Sequence, residues 1–181
     1  SRSFAAMAKF NFGASSEREG ENIHGCERPG SSEELNKAGA IGVEMVQEWA
    51  KFMQGNEIKS ILCLLNDEEL TFFQSPGYKE SVVQAGFDAN KVHLVDVYKE
   101  GSADEIEKVL KEAKKSGEKL VVHCSGGEGR TGLILAYWLT LDCGLDPSAA
   151  CEQTVATAAK FGVSRKPSEQ KLRNFIEQRK L

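Results

Sequence analysis

The chain has 181 residues, enough for one hydrophobic core and too few to expect a second domain. Hydrophobic residues at 40% and charged residues at 28% describe an ordinary soluble globular protein, and a formal net charge of −4 argues against a general binder of nucleic acid or acidic membranes. No apolar run approaches the roughly 20 residues of a membrane span. The five cysteines are an odd number with no C-x-x-C pair, which supports neither a disulfide framework nor a metal clip and points to a reducing compartment.

The opening SRSFAAMAKF is basic, rich in Ser and Ala and free of acids, which suits the remnant of an organelle transit peptide as well as a frayed end. Residues 1–20 lack periodicity and read as an irregular lead-in to one domain over 21–181. Ile23 to Cys26 forms a short first strand, closed by Arg28-Pro29-Gly30. Ser31 with Glu34 has capping-box spacing, and Val43, Val46, Trp49, Ala50 and Met53 then recur at helical spacing up to Gly55. Ile58 to Leu65 is an almost continuous apolar run of strand length, expected for a strand buried on both faces. Asn66 with Glu69 repeats the cap pattern, Pro76 to Ala85 allows another helix, and Val92 to Tyr98 reads as a second internal strand.

Ser102 with Glu105 opens an amphipathic helix whose apolar face is Ile106, Val109, Leu110 and Ala113, and Gly117 stops it. A strand over Leu120 to Val122 leads into a glycine-rich turn and an apolar helix from Leu133 to Leu141. Asp146-Pro147 starts a further helix that Gly162 interrupts, Arg165-Lys166-Pro167 makes a basic turn, and Leu172, Phe175 and Ile176 line the last helix. Strands alternating with helices predict an α/β three-layer sandwich, with a central, mostly parallel sheet flanked by helices.

The chemistry concentrates in residues 119–132, KLVVHCSGGEGRTG. A strand, a glycine-rich turn and a helix N-terminus in succession bring backbone N–H groups and the positive end of a helix dipole to one point, a place for an anion. Cys124 stands at the entrance of that turn and Arg130 at its exit. The dipole, the amides and the guanidinium favour the nucleophilic thiolate, and the guanidinium fork suits two oxygens of a tetrahedral oxyanion. Attack on phosphorus follows. A nucleotide-binding G-x-x-x-x-G-K-[ST] loop does not fit, because Cys124 takes its first glycine and Arg130 its lysine.

His123-Cys124, five residues, then Arg130-Thr131 resemble the H-C-x5-R-[ST] signature of the cysteine-based protein tyrosine phosphatases. Chain length and motif position resemble the compact dual-specificity branch, and the order of elements is similar to that of cyclin-dependent kinase inhibitor-type dual-specificity phosphatases. The resemblance implies the protein tyrosine phosphatase-like fold and a metal-independent, cofactor-free phosphomonoester hydrolase acting on phosphoproteins. In it Cys124 becomes a phosphocysteine, and the amides of Ser125, Gly126, Gly127, Glu128, Gly129 and Arg130, with the Arg130 guanidinium, bind the phosphoryl oxygens. His123 orients the loop and tunes the thiolate, and the Thr131 hydroxyl assists thiolate departure. A phosphorylated protein or peptide is the expected partner, with neither nucleic acid nor membrane, for a monomer in the cytoplasm.

The family's general acid is an Asp on the loop after the preceding strand. Asp96, 28 residues before Cys124, is the first choice, and Glu100 and Asp104 are the alternates. A second alignment sets Lys99 at the family's Asp position. A phosphate-binding module without useful turnover, or a phosphatase of RNA 5′-phosphate or phosphoinositides, are the competing functions. Glu128 weighs against strongly acidic substrates, unless Arg165 and Lys166 offset it. Cys63 either forms a redox disulfide with Cys124, as in some relatives, or is a small buried hydrophobe. Cys26, Cys143 and Cys151 read as packing residues, as do Trp49 and Trp138, and His24 and His93 as structural histidines. Asn66 and Asp67 follow a strand and are placed either at the mouth of the site or in a cap.

Overall fold

A computed structural model describes residues 8–179, so most of the Ser/Ala-rich opening lies outside the described residues. Five strands form one sheet: β1 (Gly13–Ala14), β2 (Ile23–Glu27), β3 (Ile58–Cys63), β4 (Val92–Leu94) and β5 (Lys119–Cys124). Their order is β1-β2-β5-β3-β4, with β1 antiparallel to β2 and the other neighbours parallel. Alternate residues of β5 serve opposite cores. Leu120, Val122 and Cys124 face one, Val121 packs in the other, and His123 points the same way as Val121.

Helices α1 (Val43–Gly55) and α3 (Tyr78–Gln84) cover the Val121 face. Helices α4 (Ser102–Ser116), α5 (Gly129–Cys143), α6 (Pro147–Phe161) and α7 (Glu169–Glu177) cover the Leu120 face. This is the expected three-layer α/β sandwich. It explains why Ile58 to Leu65 shows no alternation: Leu62 and Leu64 belong to one core, Ile61 and Cys63 to the other.

Of the three capping boxes read from spacing, only the one at α2 (Asp67–Leu70) forms, with Asn66 accepting from the Glu69 N–H and Glu69 accepting from the Asn66 N–H. Glu33–Leu35 is a single 3₁₀ turn after Ser31, and α1 begins later, behind Gly42. Ser102 lies inside α4, behind a left-handed Gly101, and its hydroxyl turns back to donate to the Val97 carbonyl at 3.0 Å. Asp146 caps α6 through the Ala149 N–H, as expected.

Three further differences shape the site. β4 ends at Leu94, leaving Asp96 to Tyr98 in a loop. α5 begins at Gly129 rather than Leu133, so Arg130 and Thr131 stand in its first turn. The lead-in contributes the edge strand β1 and, before it, a 3₁₀ turn over Lys9–Asn11. Cys143 is exposed rather than packed, whereas Cys26 and Cys151 are buried.

α5 approaches the sheet closely because β2 presents Gly25 to it. A Cβ there would lie 2.9 Å from Leu135 Cδ1, 2.9 Å from Thr131 Cγ2 and 3.1 Å from the Arg165 guanidinium. Gly25→Val is therefore expected to lower the urea-unfolding free energy by about 1–3 kcal/mol through overpacking. Gly55→Ala, whose Cβ would meet nothing within 4 Å, should leave it unchanged or higher.

Candidate active site

The turn between β5 and α5 sends its carbonyls outward, and each meets a donor from a distant part of the chain. The Ser125 carbonyl accepts from the Arg28 N–H at 3.0 Å, and the Gly126 carbonyl from Asn11 Nδ2 at 3.0 Å. The Gly127 carbonyl accepts from Arg165 at 3.0 Å, and the Glu128 carbonyl from the Lys166 N–H at 2.9 Å. A trans peptide points its C=O and N–H in opposite directions. The N–H groups of Gly126, Gly127, Glu128 and Gly129 are thereby turned away from these donors, toward the inside of the turn. Gly127 sits at φ +76° with its Cα against β2; a Cβ would stand 2.6 Å from the Cys26 carbonyl oxygen.

Cys124 is buried at the base of a cavity of about 330 Å³, which is also lined by Tyr98, Glu128, Arg130, Leu133 and Lys171. The Thr131 hydroxyl donates to Cys124 Sγ at 3.1 Å. Arg130 grips both oxygens of Glu69, at 2.6 and 2.7 Å, and donates to the Leu64 carbonyl at 3.2 Å. Burial alone would raise the Glu69 carboxyl, but the Arg130 bonds outweigh it and hold the group below the usual carboxylate range. The same Glu69 bonds raise the already high Arg130. The guanidinium is thus charged and fixed in the plane of its fork.

His123 is fully buried, edge-on to Trp49 with ring centroids 5.3 Å apart. Burial pushes its pKa down to about 4, so the imidazole is neutral at pH 7. Nδ1 lies 3.0 Å from the Cys124 carbonyl, which can only accept, so Nδ1 carries the proton and Nε2 accepts from the Tyr78 hydroxyl at 2.6 Å. Tyr78 in turn is hydrogen-bonded to Cys63, whose thiol burial raises to about 12. Cys63 and Cys124 are both free thiols. Cys26 and Cys63 each stand in register with His123, one on either neighbouring strand.

A family model described as PTP-SAK, the Swiss Army Knife protein DSP-PTPase phosphatase domain, matches residues 43–174, most of the chain. The protein belongs to this phosphatase family. It is a compact, cysteine-based phosphatase of the dual-specificity type. Solved structures with similar folds include kinase associated phosphatase (KAP) with its catalytic-site cysteine changed to serine, at 19% identity and a TM-score of 0.63, covering 86% of this chain and 84% of that one. PTPMT1 in complex with PI(5)P is 13% identical with a TM-score of 0.57, covering 87% and 91%. Tk-PTP in the active form is 18% identical with a TM-score of 0.56, covering 96% and 95%. The sequence matches no curated protein significantly.

In this phosphatase the structure brings Cys124, Arg130, Thr131, His123 and the turn 125–129 together, and it places Asp96 elsewhere. The Asp96 carboxylate accepts from the Tyr98 N–H at 2.9 Å and lines a neighbouring groove with Lys99, Glu100 and Glu105. Lys99 pairs with the exposed Asp67 at 3.1 Å. Asp104 lines a third groove, beside Glu177. Arg165 does not line the cavity and is not a solvated turn residue. It is buried and donates to the carbonyls of Asn11, Gly25, Gly127 and Ser164, and burial lowers it to about 10. Lys166 does reach the cavity and pairs with Glu128 at 3.1 Å. The Ser164 hydroxyl, at 2.6 Å, and Lys166 hold the Glu128 carboxyl below its ordinary range.

Sequence reasoning missed Asn11, Arg28 and the hold of Glu69 on Arg130. Arg28 is buried, donating at 2.5 Å to Ser125 Oγ and at 2.6 Å to Asn36. Glu69 alone carried a signal, its cap spacing. His24 stacks on Phe12 and His93 is half-buried, in keeping with structural roles.

The neutral His123 has a pH consequence. Its folded pKa lies below the unfolded value near 6.5, so protonation favours the unfolded chain, and stability is lost as pH falls from 6.5 toward 4. The loss attributable to this ring is on the order of 3 kcal/mol. In urea denaturation at pH 7.5 and pH 4, wild type is expected to lose about that much more than His123→Gln. Equal losses would show that the ring is not neutral in the fold.

Proposed function

We propose that this phosphatase hydrolyses phosphomonoesters on proteins, phosphotyrosine above all, through a phosphocysteine intermediate. The observation that carries the proposal is the convergence on one cavity floor of Cys124 Sγ, its Thr131 hydroxyl, the charged Arg130 fork and the inward N–H groups of the turn. Cys124 as thiolate attacks phosphorus. The N–H groups and Arg130 bind the equatorial oxygens, whose charge they stabilise without reorganising. His123 orients the turn through the Cys124 carbonyl, and as a neutral ring it acts on the thiolate by position and dipole rather than by charge. Water then cleaves the S–P bond while the Thr131 hydroxyl stabilises the departing thiolate.

A protein substrate is favoured by the small volume of the cavity, at the low end for a ligand site, and by the net charge of −4. Glu128 weighs less, because the Lys166 ammonium pairs with its carboxylate at 3.1 Å. The second reading, a phosphoinositide headgroup, has one observation in its favour: Lys166 and Lys171 both stand on the cavity wall. The neighbours point both ways. KAP is described as kinase associated and PTPMT1 is in complex with PI(5)P. We place the enzyme in the cytoplasm as a monomer working without metal; among the described residues no helix is long and apolar enough to cross a membrane.

Phosphate release from a phosphotyrosine peptide, p-nitrophenyl phosphate and a soluble phosphoinositide decides between these readings. Wild type should turn over the first two, and Cys124→Ser neither. Thr131→Ala should keep a burst of one equivalent of p-nitrophenol and then turn over slowly. Wild-type activity no greater than that of Cys124→Ser would remove the proposal, and a strong preference for the phosphoinositide would replace its substrate.

A further inference from the structure

Three of the residues that line the Cys124 cavity, Tyr98, Leu133 and Lys171, also line a second hollow of about 160 Å³ beside it. Its other walls are Val97, from the loop after β4, and Asn174, Phe175 and Gln178, from α7. Val97, Leu133 and Phe175 are buried and give the hollow an apolar base, while Tyr98 at its edge is 70% exposed. Asn174 and Gln178 are exposed and form the rim. The base is fixed in advance. The Val97 carbonyl accepts from Ser102 Oγ at 3.0 Å, and the next residue, Tyr98, donates its N–H to Asp96 Oδ1 at 2.9 Å. Phe175 stands edge-on to Tyr137 with ring centroids 4.9 Å apart. Walls set before binding cost no ordering when a group enters.

Volume and charge select that group. The hollow has about half the roughly 300 Å³ at which small-molecule sites begin, so it suits a single side chain. Beyond it, Tyr98 and Gln178 also line a groove that carries the carboxylates of Glu100, Asp104 and Glu177, and the lysine there, Lys99, is already paired with Asp67. The acyl chain of a phosphoinositide would bring an anionic lipid surface against those carboxylates, whereas a peptide brings none. We propose that the hollow is a specificity subsite for an apolar side chain flanking the phosphorylated residue of a protein substrate. The inference rests on the phosphoprotein reading above and adds the sequence context that the enzyme selects.

The test is a set of phosphotyrosine peptides in which Leu replaces Asn at one flanking position at a time, with p-nitrophenyl phosphate, which has no flanking residue, as the reference. At one of these positions wild type should show kcat/KM about tenfold higher for Leu than for Asn. Asn174→Trp, whose indole would fill the hollow from its rim, is expected to abolish that preference and leave p-nitrophenyl phosphate turnover unchanged. Asn174→Ala, which opens the rim, should keep the preference. The proposal is overturned if wild type prefers Leu at no position, or if the preference survives Asn174→Trp. It is equally overturned if Asn174→Trp lowers the Leu peptide and p-nitrophenyl phosphate alike, since the ring would then act on the Cys124 cavity itself. A short-chain phosphoinositide whose kcat/KM falls in Asn174→Trp while the peptides do not respond would put an acyl chain in place of the side chain. Wild-type turnover of p-nitrophenyl phosphate above that of Cys124→Ser, with no side-chain preference, rejects the subsite alone. No wild-type turnover rejects the phosphocysteine reading with it.

Discussion

A turn that aims four consecutive N–H groups at one point must send the preceding carbonyls the other way, into protein, and buried carbonyls need donors. Much of this fold supplies them. Asn11 arrives from the segment before β1, Arg28 from the end of β2, and Arg165 and Lys166 from the turn between α6 and α7. Each neutral bond contributes about 1 kcal/mol net, and those from a guanidinium more. Their larger effect is on shape, because a turn with three glycines has little conformational preference of its own. Asn11 shows what this requires: its side chain bonds Gly126 and Ser164 at once, and both it and Phe10 adopt positive φ to reach them. Strain in the lead-in is the counterpart of order in the turn.

The same arrangement sets the electrostatics. Three guanidiniums, those of Arg28, Arg130 and Arg165, surround the turn, and Glu27, Glu69 and Glu128 oppose them. Two of the three are buried nearly completely, and burial lowers both. The backbone carbonyls accepting from Arg165 offset part of that cost, and an anion in the turn would offset more. Glu69 divides its carboxylate between the Asn66 N–H and Arg130. The start of α2 and the direction of the Arg130 fork are therefore one structural unit.

The parts of the site legible in the sequence are those whose chemistry demands contiguity. Cys124, Arg130 and Thr131 lie on a strand, a turn and a helix start that follow without a break, and helix and strand periods mark the layers. The supports were not legible, because Asn11, Arg28 and Arg165 act across more than 35 residues of chain and their local sequence has no need of that partner. Capping boxes failed for a related reason. Ser31 and Ser102 have the same spacing to a glutamate as Asn66 does, but the chain starts its helices at Val43 and behind Gly101 instead. The apolar period marks α5 only from Leu133, because Gly129, Arg130 and Thr131 carry none; the turn, rather than propensity, sets that end.

β4 is three residues long, and that brevity sends Asp96 and Tyr98 to different cavities. Had pairing run on through Val97, strand alternation would have aimed Asp96 and Tyr98 the same way, since they are two residues apart. The Asx turn breaks that parity: Asp96 folds back on its own loop beside Lys99, while Tyr98 lines the cavity that Cys124 also lines. Cys124 is buried in one core of the sheet and bonded to the Thr131 hydroxyl, whereas the Tyr98 phenol is an exposed side chain on a short loop. Order is concentrated at Cys124 and the turn that follows it.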